Sequence, residues 1–334
     1  MRTATALVLL ALLLLAAVVV AAGVGPYRIA PPDVAAAMLR RILGRPAEGP
    51  VDTVLFSIRL PRVLAAALVG AALAAAGAAY QSLFRNPLVS PDILGVSTGA
   101  GLGAVLGILL GLPVAAVQLL GFAGGLLTVA TVAGLARALR GGGDVLVLVL
   151  AGIVIGALAG ASISLAKVLA DPYDQLPAIT FWLLGSLSGV KAGDVAATLP
   201  AVLAGLAPLV LYRWRIGVLS LGDDEARALG VDVARLRLVV IGAATLATSA
   251  VVAISGVIGW VGLMVPHMAR LLVGPRFDRL LPASVLLGAA FMVAVDTLAR
   301  SAARIEIPLG VLTALIGGPV FVVLLARGRR RAAA

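Results

Sequence analysis

The chain has 334 residues, 62% of them hydrophobic and only 12% charged, and its mean hydropathy is +1.14. A soluble domain is about half apolar and about a quarter charged, so this composition excludes a soluble protein and predicts an all-α polytopic membrane protein. The net charge of +11 comes from basic residues in short segments between apolar runs, which argues against a nucleic-acid partner.

Ten apolar runs are candidates to cross a hydrocarbon core of about 30 Å as helices. The first run could also be a signal peptide, but it exceeds the roughly 7–15 apolar residues usual there, so we expect a retained span. The eighth is short, and Gly256, Gly259, Gly262 and Pro266 are expected to break it at membrane depth. The runs cover residues 6–22, 63–83, 93–110, 114–136, 145–169, 195–212, 238–254, 257–272, 281–299 and 309–326, within a single transmembrane domain spanning residues 1–334.

The Lys and Arg residues are divided unevenly between the two sets of loops. Sixteen lie in the set that includes both termini, and ten lie in the other set. Because cytoplasmic loops carry the excess of Lys and Arg, both termini are predicted to be cytoplasmic.

The stretch GVSTGAGLGA, Gly95 to Ala104, loosely matches both a nucleophile elbow and a dinucleotide-binding loop. Neither motif has its context, because no strand is predicted before it and the only histidine, His267, lies in another span. Glycine instead recurs every fourth residue, which predicts helix faces where neighbouring backbones approach closely. These glycines are Gly95, Gly99, Gly103 and Gly107 (continuing to Gly111) in the third span, and Gly152, Gly156 and Gly160 in the fifth.

Arginines are concentrated on the predicted outer side. Arg59 and Arg62 precede the second span, Arg300 ends the ninth, and Arg304 follows one turn later. They could be solvated or bound to lipid headgroups, or they could dock an acidic partner, because guanidinium groups bind carboxylates bidentately. Asp296, four residues before Arg300, is expected to pair with it.

The longest predicted inner loop, Ser220 to Arg237, contains a short helix signal over residues 220–230. Ser220 is the expected N-cap, acidic residues fill the first turn, and Gly230 is the expected C-cap. The helix could be a solvated turn, or it could present Leu221, Ala226 and Leu229 to a cytoplasmic protein.

No cofactor or metal is expected on this chain. His267 has no accompanying ligand and is expected to bond backbone near the inner interface. The chain contains no cysteine and no G-x-x-x-x-G-K-[ST] phosphate loop, so thiolate metal sites and this route to ATP binding are excluded.

Several stretches, in this order, resemble the FecCD family, the permeases of type II ABC importers. They are RLPR, RNPLVSPDILGVSTGAGLGA, LGDDEARALGV, GWVGLMVPHMARLLVGP, DTLAR and EIPLGVLTALIGGPVF, between Arg59 and Val323. The resemblance implies a permease with about ten helices in the bacterial cytoplasmic membrane. It implies a homodimer, or a pairing with a close paralogue, that imports iron-siderophores, haem or cobalamin.

The resemblance also implies roles for particular residues. Arg59, Arg62 and Arg300 would contact carboxylates on a periplasmic or lipid-anchored binding protein, and Phe181–Gly189 resembles a short outer helix near the entrance. ATP and Mg²⁺ would be bound by a separate cytoplasmic ATPase dimer. The residues that would couple to that ATPase are Leu221, Gly222, Asp223, Asp224, Glu225, Ala226, Arg227, Leu229 and Gly230.

Two other function classes are weighed against the permease. A secondary transporter usually places carboxylates near the membrane midplane, and Asp296 is the best candidate, but it lies near the outer end. An intramembrane serine protease would need a base beside Ser97 or Ser255, and the sequence suggests none.

Overall fold

We describe the fold from a computed structural model, which places residues 3–46, 49–139 and 145–332. The regular secondary structure in these ranges is entirely helical, with no strand there, as predicted. It includes a π-helical segment (Thr53–Arg59) and a short 3₁₀ turn (Pro91–Leu94). The helices are α1 (Thr3–Gly23), α2 (Pro31–Ile42), α3 (Gly49–Asp52), α4 (Leu60–Leu83), α5 (Val96–Leu109), α6 (Val114–Ala138), α7 (Val145–Leu169), α8 (Gln175–Leu184), α9 (Ala192–Leu211), α10 (Arg213–Leu219), α11 (Asp223–Ala228), α12 (Val233–Ser255), α13 (Val261–Val273), α14 (Phe277–Ala299) and α15 (Leu309–Ala332).

The helices show that the chain is a multi-pass membrane protein. In the described ranges, seven are long and apolar enough to cross a membrane. The predicted runs 93–110, 257–272 and 309–326 fall on the shorter apolar stretches α5, α13 and Leu309–Leu324. Helix α8 is a further apolar helix that the ten runs did not include.

Three helices form the centre of the bundle. Most of the apolar length of α4, α12 and α14 is buried within the chain, whereas α1, α6, α7 and α9 are largely exposed, as expected for helices that face lipid or another subunit. Helices α4 and α14 cross where Gly70 meets Gly288, and a Cβ on either residue would overlap the other residue's backbone carbonyl. Helices α4 and α13 cross where a Cβ at Gly77 would overlap the Gly262 carbonyl, whereas a Cβ at Gly262 would lie 2.8 Å from Pro91 Cδ and 3.0 Å from the Leu73 carbonyl oxygen. Without side chains at these points, the backbones approach closely and gain van der Waals contact.

The predicted glycine faces are only partly continuous helix faces. A Cβ at Gly99 or Gly103 of α5 would overlap atoms of α6, and one at Gly107 would lie 3.1 Å from Val117 Cγ2. Gly95 lies before α5 with φ +77°, and Gly111 lies after it. On α7, a Cβ at Gly152 would overlap the Ile93 carbonyl. A Cβ at Gly156 would have a single neighbour within 4 Å, the Gly95 Cα at 3.9 Å, and a Cβ at Gly160 would have none.

The helix break in the eighth predicted span lies at Gly256–Trp260. The expectation that Gly262 and Pro266 break the helix is wrong, because both lie inside α13. Helix α12 ends at Ser255, and Gly256 has φ +68°. Trp260 has φ +71°, which is unusual for a residue with a side chain. Its side chain packs on α15, where a Cβ at Gly317 would lie 2.8 Å from Trp260 Cβ.

We predict that Gly77→Ala destabilises the protein by about 1–3 kcal/mol, because the added methyl overlaps a backbone carbonyl that cannot move aside. Equilibrium unfolding in mixed micelles measures the effect. The matched control is Gly134→Ala on α6, where a Cβ meets nothing within 4 Å and alanine favours the helix. Equal stability of the two variants would contradict close packing at Gly77.

Candidate functional site

The C-terminal end of α1 is capped by two arginines from distant parts of the chain. Arg59 donates to the carbonyl oxygens of Ala22 (2.6 Å), Gly23 (3.1 Å) and Tyr27. Arg300 donates to those of Ala21 (2.6 Å) and Val24. The last carbonyls of a helix lack intrahelical partners and lie at the negative end of its dipole. The two guanidinium groups therefore supply donors to carbonyls at the helix end, including those of the buried Ala21 and Ala22.

Arg62 is enclosed by two carboxylates of its own chain. Its Nε donates to Asp296 Oδ1 (2.8 Å) and Oδ2 (3.1 Å), and its Nη1 and Nη2 donate to Glu306 Oε2 (2.9 Å) and Oε1 (2.8 Å). The expected pair between Asp296 and Arg300 is also present, but at 3.5 Å it is the longer contact. No local pattern indicates Arg62 as the partner of Asp296, because the two residues lie 234 positions apart in the chain.

The three arginines predicted for docking lie together but face inward. Arg59, Arg62 and Arg300 are 4%, 8% and 8% exposed, whereas Arg28 and Arg304 are exposed. The alternative that the outer arginines are solvated or bound to lipid headgroups is therefore wrong for the three buried ones.

Burial is also the main cause that lowers the pKa of Arg300, which directly follows α14. Asp296 raises that pKa, and Arg59 and Arg62 lower it further. The guanidinium nevertheless stays charged at neutral pH.

Two cavities open at this end of the bundle, and Glu306 lines both. The first, of about 1450 Å³, is lined by Arg59, Arg62, Arg300 and Arg304, among others. The second, of about 690 Å³, has aromatic and amide walls that include Phe181, Trp182, Gln118 and Gln175.

The turn after α8 is hydrogen-bonded to the end of α12 and to the start of α15. Gly185 has φ +74°, and a Cβ there would lie 2.6 Å from the Val257 carbonyl oxygen. The Ser186 amide donates to the Ser255 carbonyl (2.9 Å), and the Leu309 amide donates to the Gly185 carbonyl (2.9 Å). The Phe181–Gly189 stretch is thus a helix end followed by a turn, held between the C-terminus of α12 and the N-terminus of α15.

At the opposite end of the bundle, α11 forms within the predicted 220–230 segment. The expected N-cap is wrong: the cap is Gly222 (φ +148°), and the Ser220 hydroxyl instead donates to the Gly217 carbonyl (2.6 Å). Gly230 (φ +77°) ends the helix in a Schellman motif, since its amide and that of Val231 donate to the carbonyls of Arg227 and Ala226.

The exposed face of α11 differs from the predicted one. Ala226 is fully buried, so it cannot be presented to a partner, whereas Leu221 and Leu229 are 64% and 54% exposed. Asp223 is paired with Arg237 of α12 (3.0 Å) and lies 3.8 Å from Arg85, so α11 is held to the bundle by ion pairs. Asp224 pairs with Arg227 at 2.8 Å, and the Glu225 carboxylate lies against Gly222.

The structure offers no support for metal or hydrolase chemistry. Across the described ranges, no group of three or more His, Asp or Glu side chains could hold a metal. His267 stacks edge-on against Phe321 (6.4 Å), and its buried Nδ1 lacks the expected hydrogen bond. Ser255 donates to backbone carbonyls, and Ser97 donates to Asp92, a partner the sequence analysis missed. That bond joins the 3₁₀ turn to the first turn of α5.

Comparison with known proteins identifies the relatives of this chain. The FecCD transport family model matches residues 12–327. The Haemophilus influenzae molybdate import system permease protein MolB is 42% identical over 187 residues, which is 56% of each chain. The Halobacterium salinarum cobalamin import system permease protein BtuC is 42% identical over 212 residues, 64% of this chain and 56% of the relative. The chain therefore spans little more than half the length of these two relatives.

Other relatives match over a greater length. The uncharacterized ABC transporter permease protein YvrB of Bacillus subtilis is 39% identical over 283 residues, 83% of this chain and 80% of the relative. A solved structure described as an inward-facing conformation of a metal-chelate type ABC transporter is 38% identical, with a TM-score of 0.86 over 96% of this chain and 98% of that one.

We predict that Arg62→Gln destabilises the protein by about 3–5 kcal/mol, because it leaves Asp296 buried without its main cation. Adding Asp296→Asn should restore part of this loss, since the uncompensated charge is then removed. Unfolding in mixed micelles compares these variants with Arg304→Gln, an exposed control at the same end that should stay within about 0.5 kcal/mol of the parent chain. A loss no larger than that of the control would contradict the buried network.

Proposed function

Because the chain belongs to the FecCD transport family, we propose that it is the membrane-spanning permease subunit of a binding-protein-dependent ABC importer. The observation that carries the proposal is the family match over residues 12–327, together with a 38% identical transporter structure that covers 96% of the chain. The chain itself would catalyse no reaction, and its part in transport would be mechanical.

The proposed location is the cytoplasmic membrane of a bacterium, with both termini in the cytoplasm. The excess of Lys and Arg in one set of loops supports this orientation. In this proposed orientation, the arginine-rich end lies outside the cell and α11 lies in the cytoplasm. The proposed partners are a second copy or close paralogue of this chain, a cytoplasmic ABC ATPase dimer and a periplasmic or lipid-anchored binding protein, with no role for nucleic acid.

The proposed docking site for the binding protein is the arginine-lined cavity, with Arg59, Arg62 and Arg300 as its charged residues. Their clustering at one end and the cavity of about 1450 Å³ support this assignment. Because all three already hold carbonyls or carboxylates of this chain, docking would exchange existing partners. The exposed Arg28 and Arg304 lie beside them and would meet an acidic partner first.

The proposed contact with the ATPase is α11, through the exposed Leu221 and Leu229. The ion pair between Asp223 and Arg237 connects this helix to the first turns of α12. The other end of α12, at Ser255, adjoins the helix break and the turn after α8. A push on α11 would therefore reach the opposite side of the membrane along one long helix.

We propose an iron(III)-siderophore as the cargo, with haem and cobalamin as alternatives. The description of the structural relative as a metal-chelate type transporter supports a chelate. Other relatives are named for iron(3+)-hydroxamate, hemin and cobalamin. The second cavity, of about 690 Å³, has the size and aromatic walls typical of sites for ligands as large as drugs.

Transport by the reconstituted complex tests the proposal. Vesicles that contain this chain, its ATPase and its binding protein should accumulate a radiolabelled iron(III)-hydroxamate with ATP inside, but not with ADP. Unlabelled haem and cobalamin serve as competitors. Asp296→Asn should retain uptake, because no ion coupling depends on that carboxylate. Accumulation driven by a proton or sodium gradient alone would contradict the proposal.

We predict that Leu221→Ser combined with Leu229→Ser lowers ATPase capture and transport-coupled ATP hydrolysis about tenfold or more, because burying an exposed leucine side chain in a contact contributes about 1.5–3 kcal/mol. Co-purification and hydrolysis in nanodiscs measure the effect. Leu271→Ser is the control, because Leu271 is 58% exposed at the same end but lies on α13. Unchanged coupling in the double variant would exclude α11 as the contact.

A further inference from the structure

Both edges of the Arg62 guanidinium that can bind a carboxylate at two points are occupied by carboxylates of this chain. Asp296 faces Nε and Nη2, with Nη2 2.8 Å from Asp296 Oδ1, and Glu306 accepts from Nη1 and Nη2. The Arg62 side chain is only 10% exposed, so an incoming carboxylate can bind this guanidinium bidentately only if one of the two carboxylates leaves.

Of the two carboxylates, Glu306 is the one that can leave. The Asp296 side chain is 1% exposed and lies in the last turn of α14, packed within the bundle, whereas that of Glu306 is 28% exposed and lies in the connection between α14 and α15. Glu306 also borders both cavities, so a small rotation of its side chain would carry its charge from the arginine-lined cavity towards the second one. Moving Asp296 would instead require α14 to move.

Glu306 is also bonded to the turn after α8. The Ser186 hydroxyl donates to Glu306 Oε1 (3.1 Å), the oxygen that also accepts from Arg62 Nη2. Gly185 and Ser186 are in turn bonded to α15 and to the end of α12. A single carboxylate therefore joins the arginine-lined cavity to the turn that borders the second cavity.

We propose that Glu306 occupies the place on Arg62 that a docking partner's carboxylate takes, and that its displacement transmits docking to the turn after α8. The inference rests on the proposed function, because it needs an acidic partner on the arginine side. Glu306 is a positioning residue in this scheme. It competes for Arg62 in the resting state, and when displaced it loosens Ser186.

The two roles make separable predictions. A residue with only a structural role would weaken docking when replaced, whereas an internal competitor would strengthen it. We therefore expect Glu306→Gln to bind an acidic peptide more tightly than the parent chain, by about fivefold, which corresponds to roughly 1 kcal/mol. Hexaglutamate is the probe, titrated against the full chain in nanodiscs.

The matched control is Asp174→Asn. Asp174 lines the second cavity and is exposed, but it does not contact Arg62. This variant removes the same charge from the same end, so a general electrostatic effect would appear in both variants. We expect its affinity for hexaglutamate to stay within about twofold of the parent, as for a screened surface charge.

A second readout follows the turn itself. The chain contains no cysteine, so Gly189→Cys creates a unique site for a spin label, at an exposed position where a Cβ meets nothing within 4 Å. Glu306→Ala should raise the label's mobility without any peptide, because alanine cannot accept from the Ser186 hydroxyl, and Asp174→Asn should not. Hexaglutamate should raise the mobility in the parent chain and add little in Glu306→Ala.

Three outcomes would overturn the proposal. The first is an affinity of Glu306→Gln for hexaglutamate no higher than that of Asp174→Asn. The second is a label mobility that does not change when Glu306 is replaced by alanine. The third is no binding of hexaglutamate to either the parent chain or Glu306→Gln. These outcomes are distinguishable from a failure of the proposed function, since ATP-driven uptake is measured separately. Intact uptake without displacement of Glu306 would remove only this inference. Failed uptake with successful displacement would remove the importer assignment, and with it the docking role given to the displacement.

Discussion

The arginine-rich end depends on one constraint, which is that carbonyl groups at a helix end must find donors when water is excluded. Helix α1 ends against the bundle, and its last carbonyls receive hydrogen bonds from Arg59 and Arg300. Burying Arg59, Arg62 and Arg300 together is costly, and the carboxylates of Asp296 and Glu306 offset part of their charge. The same side chains thus hold α1, α4 and α14 together and carry the positive charge on which the proposed docking depends.

Close backbone contact is the second basis of the fold. In lipid, apolar side chains gain little by leaving the solvent, so helices associate by packing. The crossings at Gly70 with Gly288 and at Gly77 with Gly262 let α4 lie directly against α14 and α13. This arrangement makes α4 the centre of the subunit, and α4 also begins next to Arg59 and carries Arg62 in its first turn.

The membrane-spanning helices, one closely packed face and one helix end could be predicted from the sequence, because residues close together in the chain determine them. Apolar runs predicted the membrane-spanning helices, a glycine every fourth residue predicted a closely packed face on α5, and Gly230 predicted the end of α11. Long-range partners left no such signal. Asp296 was paired with Arg300 because they are four residues apart, but its shorter contact is with Arg62, which only the folded chain brings near. Isolated glycines such as Gly70 and Gly288 form no periodic pattern, so their crossing was also missed.

Local sequence patterns also failed to predict which side of a short helix is buried, because contacts with the rest of the chain decide it. Ala226 lies among exposed polar residues in the sequence, yet it is the buried side of α11. Helix α8 is only ten residues long and falls below the length that a spanning run requires. Gly262 and Pro266 looked like helix breakers, but the break came earlier, at the residues with positive φ.

The contact between Trp260 and α15 couples the helix break after α12 to the last helix of the chain. Trp260 lies against Gly317, where an added Cβ would come within 2.8 Å of Trp260 Cβ, so only a glycine lets α15 lie this close. Phe321, one turn further along α15, contacts the rings of both Trp260 and His267 edge-on, at 6.4 Å each. The residue with the unusual backbone is therefore held by α15 on two sides, and a shift of α15 along its axis would act directly on the start of α13.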